Sequence, residues 1–102
     1  VSNYDPLDTD AQDKARKDRT TRDKLADQTE VEDVKWLMGS KRGRRILWRV
    51  LERAGVYRLS FNTNSMTMAF AEGARNEGLR MLALIHTASP DLYPAMMKEA
   101  NE

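Results

Sequence analysis

Cationic side chains are the residues whose types and spacing could do chemistry. Between residues 34 and 58 stand Lys35, Lys41, Arg42, Arg44, Arg45, Arg49, Arg53 and Arg58, against a single acid, Glu52. Both tryptophans, Trp36 and Trp48, fall in the same stretch. Guanidinium groups at helical spacing make charge-assisted hydrogen bonds to carboxylates or phosphates, so this pattern points to anion recognition. Other reactive groups are few. There is no cysteine, which excludes disulfides and cysteine-ligated metals, and His86 alone is too little for a histidine-based metal site. Glu72 and Glu77 are five apart and do not share a helical face, so a carboxylate pair for acid–base work is poorly supported. Lys41 follows Gly39 and Ser40 but lacks the glycine spacing and preceding strand of a phosphate-cradling loop. The residues therefore predict binding without catalysis, and no metal or cofactor.

Charge is divided along the chain. Net charge is +1 over 102 residues. Residues 1–33 hold ten acids and six bases, residues 34–58 eight bases and one acid, and residues 59–102 three bases and five acids. Such asymmetry marks an electrostatic face more than the total does. The basic stretch would then meet acidic protein surface, in this chain or a partner, or nucleic acid; plain solvation is the bland alternative. No apolar run approaches the roughly 20 residues of a membrane span, and the start does not look like a signal peptide. A soluble protein made in a reducing compartment is expected.

The elements that must position these cations read as helices. Residues 1–8 are polar, contain Pro6 and are expected to be a flexible arm. Thr9 with Gln12, and Thr29 with Glu32, fit capping boxes and predict two helix starts. Residues 10–27 alternate charges and have little to bury, so their helix is expected to order against a partner. Val31, Val34, Leu37 and Met38 form the next stripe, closed by a left-handed cap at Gly39. Ser40 starts a helix over 41–54. Its apolar face is Leu47, Val50, Leu51 and Ala54, widened by Ile46, with Arg42, Arg45, Arg49 and Arg53 mostly opposite. Gly55 stops it.

Residues 56–62 form a connector whose Tyr57, Leu59 and Phe61 are expected to lie across the bundle. Asn62 or Asn64 caps a third helix, about 64–87, with a stripe through Met66, Ala69, Phe70, Gly73, Glu77, Met81, Leu82 and Ile85. Gly73 and Gly78 each cost about 1 kcal/mol in a helix relative to alanine, so both predict close approach of another backbone. Ser89 and Pro90 open a last helix, 90–100, burying Leu92, Tyr93 and Met96. Met66, Met81 and Met96 are expected in the core, and Trp36 and Trp48 are expected to anchor it. The fold class is all-α: a small domain of three to four helices over residues 30–102, with a long charged N-terminal helix or arm over 1–29.

The strings WLMGSKRGRRILWRVLERAGVYRLSF and AFAEGARNEGLRMLALIHTASPDLYPAMMKEA resemble the Bbp19-like phage domain family, small proteins of tailed bacteriophages. Trp36, Arg44, Arg45, Glu52, Arg53, Gly55, Glu72, Gly73, Arg75, Asn76 and Gly78 stand in the order of that pattern, and the likeness covers about residues 34–100. The resemblance implies a virion-associated structural protein of a short-tailed phage, made in the host cytoplasm, and not an enzyme. On that reading the domain docks in several copies on other virion proteins, around the portal and tail or inside the capsid. Lys41, Arg42, Arg44, Arg45, Arg49, Arg53 and Arg58 would meet acidic surface, and Trp36, Tyr57 or Phe61 would supply an apolar anchor. Arg75 and Asn76 would fix the third helix against the connector. The alternative is contact with packaged DNA through the basic helix 41–53.

Overall fold

A computed structural model of the chain describes residues 7–59 and 61–102. The expectation of a flexible arm at residues 1–6 lies outside the described residues. Four α-helices follow one another: α1 (Thr9–Met38), α2 (Lys41–Ala54), α3 (Ser65–Ala88) and α4 (Tyr93–Ala100), the last preceded by a single 3₁₀ turn, Pro90–Leu92. No strand occurs among the described residues. The all-α class expected from the sequence is what is found. The chain divides into two units between Glu30 and Val31.

In the first unit, α1 depends on local bonds, because nearly every side chain from Thr9 to Thr29 is exposed. Asp8, not Thr9, caps its start: the Ala11 N–H donates to Asp8 Oδ1 at 3.0 Å. Arg16 reaches Asp13 at 3.2 Å, one turn earlier. Thr29 does not begin a new helix. Its hydroxyl donates to the Leu25 carbonyl at 2.9 Å, so the same oxygen that could cap a start instead satisfies a helix already running.

The second unit has a core of Val34, Met38, Leu47, Leu51, Val56, Ile85 and Met96. Met38, Leu51, Ile85 and Met96 are fully buried, and burial of each contributes about 1.5–3 kcal/mol. Helix α2 lies at the centre and packs against both α3 and α4. Its ends are well made. Ser40 Oγ accepts from the Gly43 N–H at 3.0 Å. At the other end Gly55 takes φ 77°, and the Val56 N–H returns to the Leu51 carbonyl at 3.2 Å, which satisfies carbonyls the helix would leave open. Arg58 adds a guanidinium bond to the Glu52 carbonyl at 2.9 Å. Asn64 caps α3 through the Thr67 N–H at 3.0 Å.

Two glycines set the helix spacing. A Cβ on Gly43 would collide with the Leu37 backbone carbonyl, so the turn between α1 and α2 closes only without one. A Cβ on Gly78 would stand 2.5 Å from Val56 Cγ2 and 2.6 Å from Ala54 Cβ, which is the close approach expected of it. Gly73 does not behave this way, since nothing comes within 4 Å. Gly39 ends α1 without a left-handed cap; among the described residues Gly55 alone has positive φ. Ser89 gives no side-chain cap either, and its N–H continues to the Ile85 carbonyl at 2.9 Å.

Several residues expected in the core lie outside it. Trp36 is 80 % exposed, because it points about 200° around α1 from Val34, away from the Val34–Met38 face. Met66 and Phe70 are 82 % and 81 % exposed. Helix α2 ends at Ala54, which meets Gly78, and leaves the outer face of the first turns of α3 uncovered. Leu59 and Phe61 are also exposed, so of the three large side chains expected to lie across the bundle only Tyr57 packs on it. Trp48 does pack against the core, as expected.

Candidate interaction surface

The cations of α2 separate into two sets. Arg44 turns inward. Its Nη2 and Nε hold the Glu99 carboxylate at 2.7–3.2 Å, and its Nη1 donates to the Met38 carbonyl at 2.9 Å. Both side chains are largely covered. One planar guanidinium thus joins the ends of α1 and α4 to the first turn of α2, a task suited to arginine's fixed fork. Nearby, Lys41 meets Glu102 at 3.3 Å. The acids answering these cations inside the unit come from the last turn of α4 and the residues just after it, and Arg44 is a fold residue, contrary to its expected role at a partner surface.

The second set faces out. Arg42, Arg45, Arg49 and Arg53 are exposed and form no ion pair among the described residues. Their spacing of three, four and four lines them along the side of α2 opposite Leu47 and Leu51. Of the four, Arg45 also lines a recess of about 340 Å³, with Lys41, Trp48, Met96 and Glu99.

Tyr57 belongs to the fold as well. Its ring stacks on Trp48 with centroids 5.3 Å apart, and its hydroxyl hydrogen-bonds that of Tyr93 at 2.8 Å. Burial, reinforced by the Tyr93 hydroxyl, pushes its phenol well above the usual range. His86 packs against Tyr93 at 4.6 Å, as a structural ring. Arg58 is committed to the end of α2. Arg75 is half-buried and Asn76 exposed on α3; among the described residues no side-chain hydrogen bond ties either to the connector, contrary to what was expected of them. Phe61 and Trp36 remain available to a partner.

Leu59, Met66 and Phe70 were not among the interaction candidates, yet with Phe61 they are the large apolar side chains left exposed near the start of α3. The open glycine at 73, on the same face as Met66 and Phe70, is the sequence signal for them. No group of three or more metal-ligating side chains occurs among the described residues. No helix there is long and apolar enough to cross a membrane.

The Bbp19-like phage protein model matches residues 34–98. The chain belongs to that family. No curated protein and no solved structure matches it. The matched span of this Bbp19-like chain opens at Val34, its first core residue, and contains the whole core through Met96. It thereby delimits the packed helices. Glu99 lies just beyond it.

The Arg44–Glu99 contact makes stability depend on pH in a defined direction. The hydrogen bonds from Arg44, with its charge and that of Lys41, hold the Glu99 carboxyl below its ordinary 4.5 against a smaller opposing effect of burial. A depressed folded value favours folding above the unfolded value, and that contribution is lost as pH falls through the folded one. Glu99→Gln is therefore expected to be less stable than the parent at neutral pH, and the gap should narrow as pH falls below the ordinary 4.5 and close once it passes the lowered folded value. Urea titrations of both chains across pH 3–7 check this. Arg44→Ala should destabilise more than Glu99→Gln at neutral pH, because it also strips the Met38 carbonyl of its donor.

Proposed function

We propose that this Bbp19-like chain is a non-catalytic structural or assembly protein of the phage virion. It binds other virion proteins, at the portal and tail or inside the capsid, in several copies. The observation that carries this reading is that the core closes without Leu59, Phe61, Met66 and Phe70. Large apolar side chains clustered in one short stretch outside a core mark a surface used by a partner. The non-catalytic part of this reading is supported by where the titratable groups are used. The groups with shifted proton affinity serve contacts within the fold: Tyr57 meets Tyr93, Arg44 meets Glu99, and Glu77 meets Arg80 on the same helix.

Purified particles test the assignment. The chain should copurify at a fixed number of copies per particle, and a Phe61→Ala/Phe70→Ala variant should be excluded while keeping its helicity. A chain abundant in infected cells but missing from particles removes the reading. The free arginines, in contrast to Arg44, are the charges to reverse: Arg45→Glu/Arg49→Glu should lower incorporation without unfolding.

A second reading, contact with packaged DNA, has one specific support: the outward line of Arg42, Arg45, Arg49 and Arg53. Neutralising that number of phosphates gives a log–log salt slope of about −3 to −4 on duplex DNA. Failure to retain the chain on DNA at low salt dismisses it.

A further inference from the structure

A groove of about 310 Å³ lies where α2 ends and α3 begins. Leu59, Phe70, Ala71 and Ala74 form its apolar floor, Arg53 and Arg58 stand in its wall, and none of the described acidic residues lines it. Leu59 and Phe70 are among the most exposed apolar side chains of the chain, at 96 % and 81 %. Arg53 has no ion pair among the described residues, whereas Arg58 covers the Glu52 carbonyl, so the helix end contributes little negative potential there. Beside the floor, Gly73 has nothing within 4 Å. A solvent-facing glycine inside a helix sacrifices stability in the free chain; Gly78 recovers this through contact with Ala54 and Val56, and Gly73 has no such contact.

We propose that this groove receives an acidic amphipathic helix from another phage protein. Its apolar side chains would rest on Leu59 and Phe70, and a carboxylate would pair with Arg53. The charge of the wall selects the partner: an apolar floor bordered only by cations favours apolar residues flanked by Asp or Glu and repels basic segments. The secondary structure of the occupant follows from the floor. The described residues offer no strand edge for an extended peptide, while Ala71, Gly73 and Ala74 allow a second helix backbone to come close. This inference rests on the binding role proposed above and specifies its partner.

The test uses the intact chain and two synthetic helical peptides with the same leucine face, one flanked by glutamates and one by lysines. Fluorescence anisotropy of labelled peptide should show binding of the glutamate peptide, and at least about tenfold weaker binding of the lysine peptide. Phe70→Ala and Arg53→Glu should each weaken the glutamate peptide by a similar factor with unchanged circular dichroism. Amide shifts on titration should concentrate at Leu59 and residues 70–74. Equal binding of both peptides, or indifference to both substitutions, overturns the proposal. So does a dimer of the intact chain that Phe70→Asp abolishes, which would make a second copy the occupant, or displacement of the peptide by duplex DNA. Virion content is read separately: a chain that binds the peptide but is missing from particles sinks the virion role alone, and a chain in particles that ignores the peptide sinks the groove alone.

Discussion

Gly43→Ala should cost about 3 kcal/mol or more and leave the second unit partly unfolded at ambient temperature. The added methyl has no free volume. It meets the carbonyl, carbonyl carbon and Cα of Leu37, all backbone, so no rotamer change relieves it. Either the first turn of α2 moves off or the end of α1 does. Both routes break the Arg44 bond to the Met38 carbonyl and pull Leu47 from Met38 in the core. A urea midpoint measured by tryptophan fluorescence checks it, since Trp48 packs against this core. A variant as stable as the parent would mean that the α1–α2 turn is looser than described.

The second large effect is a contrast within one helix. Gly78→Ala gains about 1 kcal/mol of helix propensity but drives a methyl into Ala54 Cβ and Val56 Cγ2. Ala54 cannot rotate away, so α2 and α3 must separate, and overpacking of this kind costs about 1–3 kcal/mol. The net result should be destabilisation. Gly73→Ala, five residues earlier in the same helix, meets nothing and should raise stability by about 0.5–1 kcal/mol. Opposite signs for one chemical change, read from two thermal melts, would establish that only Gly78 is a packing glycine. If a partner helix crosses at Gly73, the same alanine should weaken that complex while strengthening the free chain.

Sequence reasoning reached the parts of the fold governed by local chemistry. Ser40, Gly55 and Asn64 delimit helices because a capping oxygen or a glycine acts within a few residues of itself. The face of α2 through Leu47 and Leu51 follows from periodicity for the same reason. What was not legible depends on distant partners. Thr29 has the signature of a cap, but its hydroxyl was already taken by the preceding turn. Met66 and Phe70 continue the stripe of Ile85, yet whether a stripe is buried depends on where the facing helix stops. Arg44 looks like its neighbours Arg42 and Arg45. Only the fold, by bringing Glu99 fifty-five residues along the chain to it, makes it different.

That guanidinium has a kinetic consequence. Because a single side chain clasps the Met38 carbonyl and the Glu99 carboxylate, the closing turns of α1 and α4 share one latch. They should fray in concert, not singly. Deuterium uptake at their amides should therefore proceed with matched opening rates, and Arg44→Lys, which loses the fork but keeps the charge, should unlock the two termini together.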